Sequence, residues 1–191
     1  MKNSEFVTRS VLSGVLISIG VFVYGNAPNK IIGALLFSIA LLTILSFGCP
    51  LYTGAVGYYK DEKDVLPLLL IFSLNVIGCC FSFLLPNDLT DEIFAEKVAT
   101  PLHIVFIKSL ICGVLIYIAS EFHNRKSNHW FLTTIICVMA FMLSGCEHSI
   151  ADVCMMFSAK AFSWYNVFFI IVVTFGNAFG SMVTDKMIYS D

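Results

Sequence analysis

Six long apolar segments constrain the fold of this chain more than any other feature of its sequence. Because a helix needs about 20 mostly apolar residues to cross a lipid bilayer, each segment is long enough to span one. Only 13% of the residues are charged, roughly half the share found in soluble domains. The sequence therefore predicts an all-α membrane protein with six transmembrane helices in a single transmembrane domain, residues 1–191. The segments cover about residues 7–25, 31–59, 66–86, 103–122, 129–157 and 164–184.

The composition argues against several other classes of protein. The net charge is −2 and no run of basic residues is present, so we do not expect nucleic acid as a partner. The seven cysteines lie in apolar segments without a metal-binding spacing, which predicts small buried side chains rather than disulfides or a metal site. Lys2 and Arg9 precede the first segment, as in a signal peptide, but no small-residue cleavage site follows. We expect no cofactor and no enzymatic activity.

The distribution of cations predicts the orientation in the membrane. With six spans both termini lie on one side, which then receives seven of the eleven cations, whereas the other side receives three. The positive-inside rule places both termini in the cytoplasm, for a protein of the cell (plasma or inner) membrane. The longest connection on the outer side, residues 86–101, is predicted to be an acidic loop. The seven cations are Lys2, Arg9, Lys60, Lys63, Arg125, Lys126 and Lys186, and the three are Lys30, Lys97 and Lys160.

Three short matches at nearly one spacing indicate an internal repeat. They occur in the same order in both halves of the chain, which predicts two repeats of three spans each, about 7–86 and 103–184. Because three is odd, the second copy enters the membrane upside down, and such inverted repeats place their site near the middle of the bilayer. The matched pairs are Gly14 with Gly113, Gly48 with Gly145 and Asn75 with Asn177, which are 99, 97 and 102 positions apart.

The second and fifth segments, 31–59 and 129–157, are too long for one straight crossing. Each carries a Gly-Cys pair past its middle, followed by proline or polar residues. Non-helical backbone at membrane depth is tolerated only where protein or a water-filled cavity surrounds it. We therefore predict that helices 2 and 5 are broken, with GCPLYTG (48–54) and GCEHSIAD (145–152) facing each other across a central pathway.

An ionisable cluster lies in the second of these stretches. Glu147, His148 and Asp152 fall within six positions of an otherwise apolar segment. Ionisable groups are costly inside a membrane and mark the pathways of ions and protons. Histidine changes charge near physiological pH, so His148 can supply a proton to an anion or attract it with a positive charge. A metal bound by these three residues would be under-ligated, because the other three histidines lie near the ends of the spans.

The motif GCEHSIADV (145–153) resembles the G-F-E-H-S-x-A-N-M signature of the formate/nitrite transporter family. CPLYTGAV (49–56), TFGNAFGS (174–181) and the stretch 97–119 resemble further segments of that family, and the resemblance runs from about residue 10 to 184. It implies an aquaporin-like six-span protomer, a homopentamer with one pathway per protomer, and transport of small monovalent anions of weak acids. Formate, nitrite, lactate, acetate and hydrosulfide belong to that class.

The resemblance also implies the residues of the pathway. The family's central histidine corresponds to His148, its loop threonine to Thr53, a nearby asparagine to Asn177 and the vestibule lysine to Lys97. An apolar constriction on either side of the histidine would let a weak acid cross in its neutral form, which links transport to protons. The constriction positions correspond to Phe37, Leu41, Leu51, Tyr52, Ile116 and Phe141.

Several interpretations stay open at this point. Glu147 either belongs to the pathway or braces backbone N–H groups of the broken helix. Asp152 stands where the family has asparagine, and is either ionised and coupled to His148 or neutral in place of the amide. We favour the neutral form, because the sequence indicates little compensating charge nearby. Lys97 is expected to concentrate anions at an acidic outer mouth. The alternative function is a neutral small-solute channel on the same architecture.

Overall fold

The computed structural model describes residues 3–85 and 88–190, which form helices and their connections and contain no strand. Lys2 and residue 86, the predicted end of the third span, lie outside the described residues. Short 3-10 turns follow α3, precede α4 and follow α4. The helices are α1 (Asn3–Asn26), α2 (Lys30–Ser46), α3 (Tyr52–Ala55), α4 (Val65–Cys79), α5 (Asp88–Ala99), α6 (Leu102–Asn124), α7 (Trp130–Leu143), α8 (Ser149–Ser158) and α9 (Trp164–Ile188).

Four helical stretches within the described residues are long and apolar enough to cross a membrane. They are α1, α6, α9 and the continuous stretch Glu62–Leu84, which contains α4. The apolar helices α2, α7 and α8 are shorter, 17, 14 and 10 residues. The length and apolar character of these helices, together with the apolar surface that they expose, indicate that the chain is an all-helical membrane protein.

The second and fifth apolar segments are interrupted where the sequence predicts breaks. α2 ends at Ser46 and the chain becomes helical again at Tyr52, while α7 ends at Leu143 and α8 begins at Ser149. Gly48 and Gly145 lie in these two interruptions with φ of +60° and +62°. Only glycine adopts this left-handed backbone at little cost, so a glycine two residues past each helix end turns the chain back into the protein.

Two pairs of helices cross so closely that their backbones touch. A methyl group on Gly14 of α1 would lie 2.0 Å from the carbonyl oxygen of Asn75 in α4. A methyl group on Gly113 of α6 would lie 2.2 Å from the carbonyl oxygen of Asn177 in α9. Both crossings therefore require glycine, and both helix pairs carry the asparagine that the internal repeat singles out.

The connection at residues 86–101, predicted to be an acidic loop, contains the 12-residue helix α5. Its acidic residues are largely exposed, but Phe94 is buried and its ring packs edge-on against Phe169 of α9 at 6.1 Å. Thr90 is also buried, beside Ser158 at the end of α8. The high charge of this stretch obscured the few residues that dock it, and the docking brings Lys97 toward the broken helix α7–α8.

Two buried carboxylates tie the end of the helix bundle opposite α5 together. Asp185 of α9 accepts a hydrogen bond from Lys60 Nζ at 2.8 Å, and Glu121 of α6 accepts one from Tyr58 OH at 2.9 Å. Lys60 and Tyr58 belong to the segment after α3, so this short half-helix is held against α6 and α9 by charged hydrogen bonds.

Candidate functional site

His148 and Thr53, from the two interrupted segments, are in contact, as the sequence predicts. The Nε2 atom of His148 lies 3.0 Å from Thr53 Oγ1, and both side chains are almost completely buried. His148 is also the N-cap of α8, because its Nδ1 accepts a hydrogen bond from the backbone N–H of Ala151 at 3.1 Å. Since Nδ1 is an acceptor, the ring is the neutral tautomer that carries its hydrogen on Nε2 and donates it to Thr53.

Apolar side chains enclose this pair. The ring of Phe141 stacks on that of His148, with centroids 5.8 Å apart, and Phe37 packs edge-on against Phe141 at 6.2 Å. Water and hydrated ions are excluded from such a contact, so the polar pair lies in a dry environment. All six predicted constriction residues, namely Phe37, Leu41, Leu51, Tyr52, Ile116 and Phe141, are at most 8% exposed and belong to one core cluster.

Two cavities approach the pair from different directions. The cavity that we call the α5 pocket has a volume of about 210 Å³, and that called the α3 pocket about 170 Å³. Phe141 borders the α5 pocket, and Leu41 and Leu51 border the α3 pocket. The α5 pocket is lined, among others, by Lys30, Glu96, Lys97, Lys108, His148 and Asp152, and the α3 pocket by Gly48, Gly54, Tyr58 and His123.

Tyr52 and Ile116 differ from the other constriction positions. The ring of Tyr52 packs against Phe72 of α4 at 5.2 Å and borders an apolar cleft between α4, α8 and α9 rather than the α3 pocket. Ile116 is buried in α6 and borders neither the α5 nor the α3 pocket. The structure therefore brings three of the six constriction residues to the pair or its two pockets, namely Phe141, Leu41 and Leu51, and places Phe37 behind Phe141.

Asn177 is placed beside the break but is bonded to backbone. Its Oδ1 accepts from the N–H of Ser149 at 2.9 Å, and its Nδ2 donates to the carbonyl oxygens of Ser109 and Glu147, each at 2.8 Å. Asn75 makes the same set of bonds in the other half, accepting from one N–H after the break and donating to two carbonyls. Both amides therefore hold the ends of the broken helices.

Lys97 of α5 bridges the two carboxyl groups of the predicted ionisable cluster. Its Nζ donates to Glu147 Oε2 and lies 3.1 Å from Asp152 Oδ1. The side chains of Lys97, Glu147 and Asp152 are 14%, 0% and 1% exposed. The expectation that little compensating charge lies near Asp152 is wrong, because α5 folds back and inserts this ammonium group. Glu147 contacts Lys97, and no hydrogen bond joins its carboxylate to a backbone N–H among the described residues.

Lys108 is a residue of this site that sequence reasoning missed. It lines the α5 pocket, and its Nζ lies 3.8 Å from where a methyl group on Gly145 would be. Arg9 lies in the same way against Gly48 and donates from Nη1 to the carbonyl oxygen of Phe47 at 2.9 Å. Arg9 and Lys108 are 99 positions apart, the spacing of Gly14 and Gly113, so the repeat contained the signal. A cation at the C-terminal end of a helix offsets the negative end of its dipole.

Comparisons with known proteins agree with this architecture. The family model described as formate/nitrite transporter matches residues 1–190. The nitrite transporter NirC of Salmonella typhimurium is 25% identical over 190 residues, covering 84% of this chain and 68% of NirC. The uncharacterized transporter YwcJ of Bacillus subtilis is 25% identical over 182 residues, covering 78% of this chain and 71% of YwcJ.

Two solved structures share the fold. An FNT family ion channel superimposes with a TM-score of 0.87 at 22% identity, covering 99% of this chain and 90% of that channel. A pentameric formate channel with formate bound superimposes with a TM-score of 0.83 at 20% identity, covering 98% and 96%. With the broken helices, the buried His148–Thr53 pair and the family model matching residues 1–190, these findings establish that the chain belongs to the formate/nitrite transporter family.

Proposed function

We propose that this protein is a transmembrane channel or transporter for a small monovalent weak-acid anion, with transport linked to protons through His148. The class includes formate, nitrite, lactate, acetate and hydrosulfide. The observation that carries the proposal is the His148–Thr53 hydrogen bond, buried between two pockets and packed against Phe141. The names of the related proteins support it, since NirC is a nitrite transporter and the solved pentameric channel holds formate.

The proton linkage follows from the charge of the pair. A bare anion loses its hydration in a dry constriction, whereas the conjugate acid enters as a neutral molecule. Because His148 donates Nε2–H to Thr53, the hydroxyl hydrogen of Thr53 is free to point at a passing molecule, and Thr53 Oγ1 keeps a lone pair for the acid's own O–H. The pair therefore suits a small neutral acid, and each anion crosses together with one proton.

The proposed topology is six spans built as an inverted repeat of three spans each, with broken helices 2 and 5 and both termini in the cytoplasm. The matching glycine crossings and the matching bonds of Asn75 and Asn177 support the repeat. In this orientation the α5 pocket is the outer vestibule and the α3 pocket the inner one. The lipid bilayer of the plasma or inner membrane surrounds the protein.

The proposed assembly is a homopentamer with one pathway per protomer. The pentameric formate channel with the same fold supports this state. Apolar side chains that are more than half exposed, such as Ile31, Leu66, Phe175 and Met187, supply surface for neighbouring protomers and lipid.

The alternative is a neutral small-solute channel. Two observations favour it over a simple anion channel: His148 is uncharged, and the ammonium of Lys97 is balanced by two carboxyl groups. Flux of a neutral solute that does not depend on a pH gradient would support this alternative.

The test is a flux assay in liposomes with a panel of small weak acids across a pH gradient, in which movement of acid and of protons is followed together. We expect weak-acid flux in the wild type, its loss in His148→Phe, and its retention in His103→Phe, where an exposed histidine changes in the same way. Normal flux in a well-assembled His148→Phe variant would contradict a transport role for His148 and leave only a packing role.

A further inference from the structure

The cluster of Lys97, Glu147 and Asp152 contains two carboxyl groups but one ammonium group. Glu147 and Asp152 are completely buried and Lys97 is largely so, and Lys97 is the only cation paired with either carboxyl among the described residues. With both carboxyls ionised the cluster would carry a net negative charge in a poorly solvated place, which is costly. Two carboxyl groups that share one site do not both ionise readily, so the neutral arrangement holds one proton between them.

The geometry indicates which carboxyl holds this proton. Glu147 Oε2 accepts the hydrogen bond of Lys97 and does not border the α5 pocket, so Glu147 is the ionised partner. Asp152 borders the pocket, and its carboxyl group lies close to both Lys97 and Glu147 without a well-aligned hydrogen bond to either among residues 3–85 and 88–190. Its Oδ1 is close to Lys97 Nζ, at 3.1 Å, but without hydrogen-bond alignment.

We propose that Asp152 is the proton donor to the weak-acid anion in the α5 pocket, and the proton acceptor when acid leaves by the same route. This inference rests on the proposed function, because it supplies the proton with which the acid passes the His148–Thr53 pair. His148 links transport to protons by admitting only the neutral acid. It does not itself supply the proton in the arrangement described, since its Nδ1 is bonded to Ala151 N–H and its Nε2–H to Thr53.

The proton transfer is balanced within the cluster. The O–H bond of Asp152 breaks, its proton bonds to an oxygen or sulfur of the anion, and the electron pair stays on Asp152 as a carboxylate. The neutral acid moves on toward Phe141 and His148, and the new carboxylate is stabilised by Lys97 at 3.1 Å. A water molecule that enters the α5 pocket then gives a proton to Asp152 and leaves as hydroxide, so no other reactant is needed.

Other charged and titratable groups surround Asp152 and contribute to this balance. Glu147 and His148 precede it on the same segment, and its backbone N–H donates to the carbonyl oxygen of His148 at 2.8 Å. The remaining groups that border the same pocket are Lys97 and Glu96 on α5, Lys108 on α6, Tyr24 on α1, Lys30 on α2 and Cys146 in the break.

The first experiment measures how flux depends on pH. Initial rates of formate flux are compared for wild type, Asp152→Asn and the control Glu92→Gln, which removes an exposed carboxyl of α5 that does not line the pocket. Above the pKa of formic acid the preformed acid falls about tenfold per pH unit. We expect the Asp152→Asn rate to fall with that slope, and the wild-type and control rates to fall less steeply. At a neutral pH the loss is on the order of tenfold or more.

A wild-type rate and slope in Asp152→Asn would overturn the proposal. A loss that is equal at every pH would also overturn it, because a structural defect does not depend on the supply of acid. Absence of weak-acid flux in the wild type itself would instead contradict the proposed function.

A second measurement tests the proton without transport. Infrared spectroscopy of the wild-type protein at neutral pH should show the C=O band of a protonated carboxyl group, which ionised carboxylates lack. Asp152→Asn removes this band, and Glu147→Gln removes it too, because Lys97 then pairs with Asp152 alone and ionises it. A wild-type spectrum without the band, or a band that survives in both variants, would show that Asp152 holds no proton.

Discussion

Replacement of Asn177 tests whether this residue holds the broken helix or serves only the pathway. In Asn177→Ala the N–H of Ser149 and the carbonyl of Glu147 lose their partner in a completely buried place. Each buried polar group left without a partner costs about 1–3 kcal/mol, so the free energy of unfolding falls by roughly 2–6 kcal/mol. The bond to the Ser109 carbonyl adds less, because that oxygen lies in the hydrogen-bonded backbone of α6.

The assay is reversible unfolding of the purified protein in mixed detergent micelles, with Asn128→Ala as the control at an exposed asparagine. A loss of 2–6 kcal/mol lowers the unfolding midpoint by roughly 5–20 °C in a chain of this length. The flux per folded protein should change only slightly, while the free energy of unfolding falls. A variant that keeps its midpoint within about 1 °C but loses flux would refute the reasoning, because it would place the amide in the pathway rather than in the fold.

Two further predictions concern residues near the same site. Gly113→Ala places a methyl group 2.2 Å from the Asn177 carbonyl, so α6 and α9 must separate; we expect a loss of at least about 2 kcal/mol in the unfolding assay, and an unchanged midpoint would contradict the close approach. Lys108→Gln removes a cation that lines the α5 pocket without an ion pair among the described residues. Anion flux should be lower than in the wild type at low ionic strength, and this difference should disappear near 1 M salt, where charges are screened within about 3 Å and the wild type loses the attraction as well. A loss that persists in high salt would assign Lys108 a structural role at Gly145 instead.

The broken helices and the His148–Thr53 pair were predictable from the sequence, because segment lengths and internal matches can both be seen there. The thickness of the bilayer sets the length of a span, and two segments of about 29 residues are too long for one straight crossing. The Gly-Cys pair in each segment then predicts a break at Gly48 and at Gly145. The predicted repeat then pairs Thr53 with His148, because each follows its glycine by a few residues.

The charge balance of the site was decided by the tertiary structure alone. Lys97 and Glu147 are 50 positions apart, and no local pattern indicates that α5 docks through Phe94 and delivers Lys97 to Glu147 and Asp152. The protonation state of a buried carboxyl depends on charges within a few ångströms. The sequence gives only the order of these charges along the chain, and the distances between them exist only in the folded protein.

For His148, too, the sequence determined one property and the tertiary structure another. The sequence determined that a histidine follows the break, but the bond from Ala151 N–H to Nδ1 decided that the ring is neutral and donates to Thr53. A tautomer is selected by the geometry of one donor and one acceptor, and that geometry exists only once α8 and the segment after α2 are packed together.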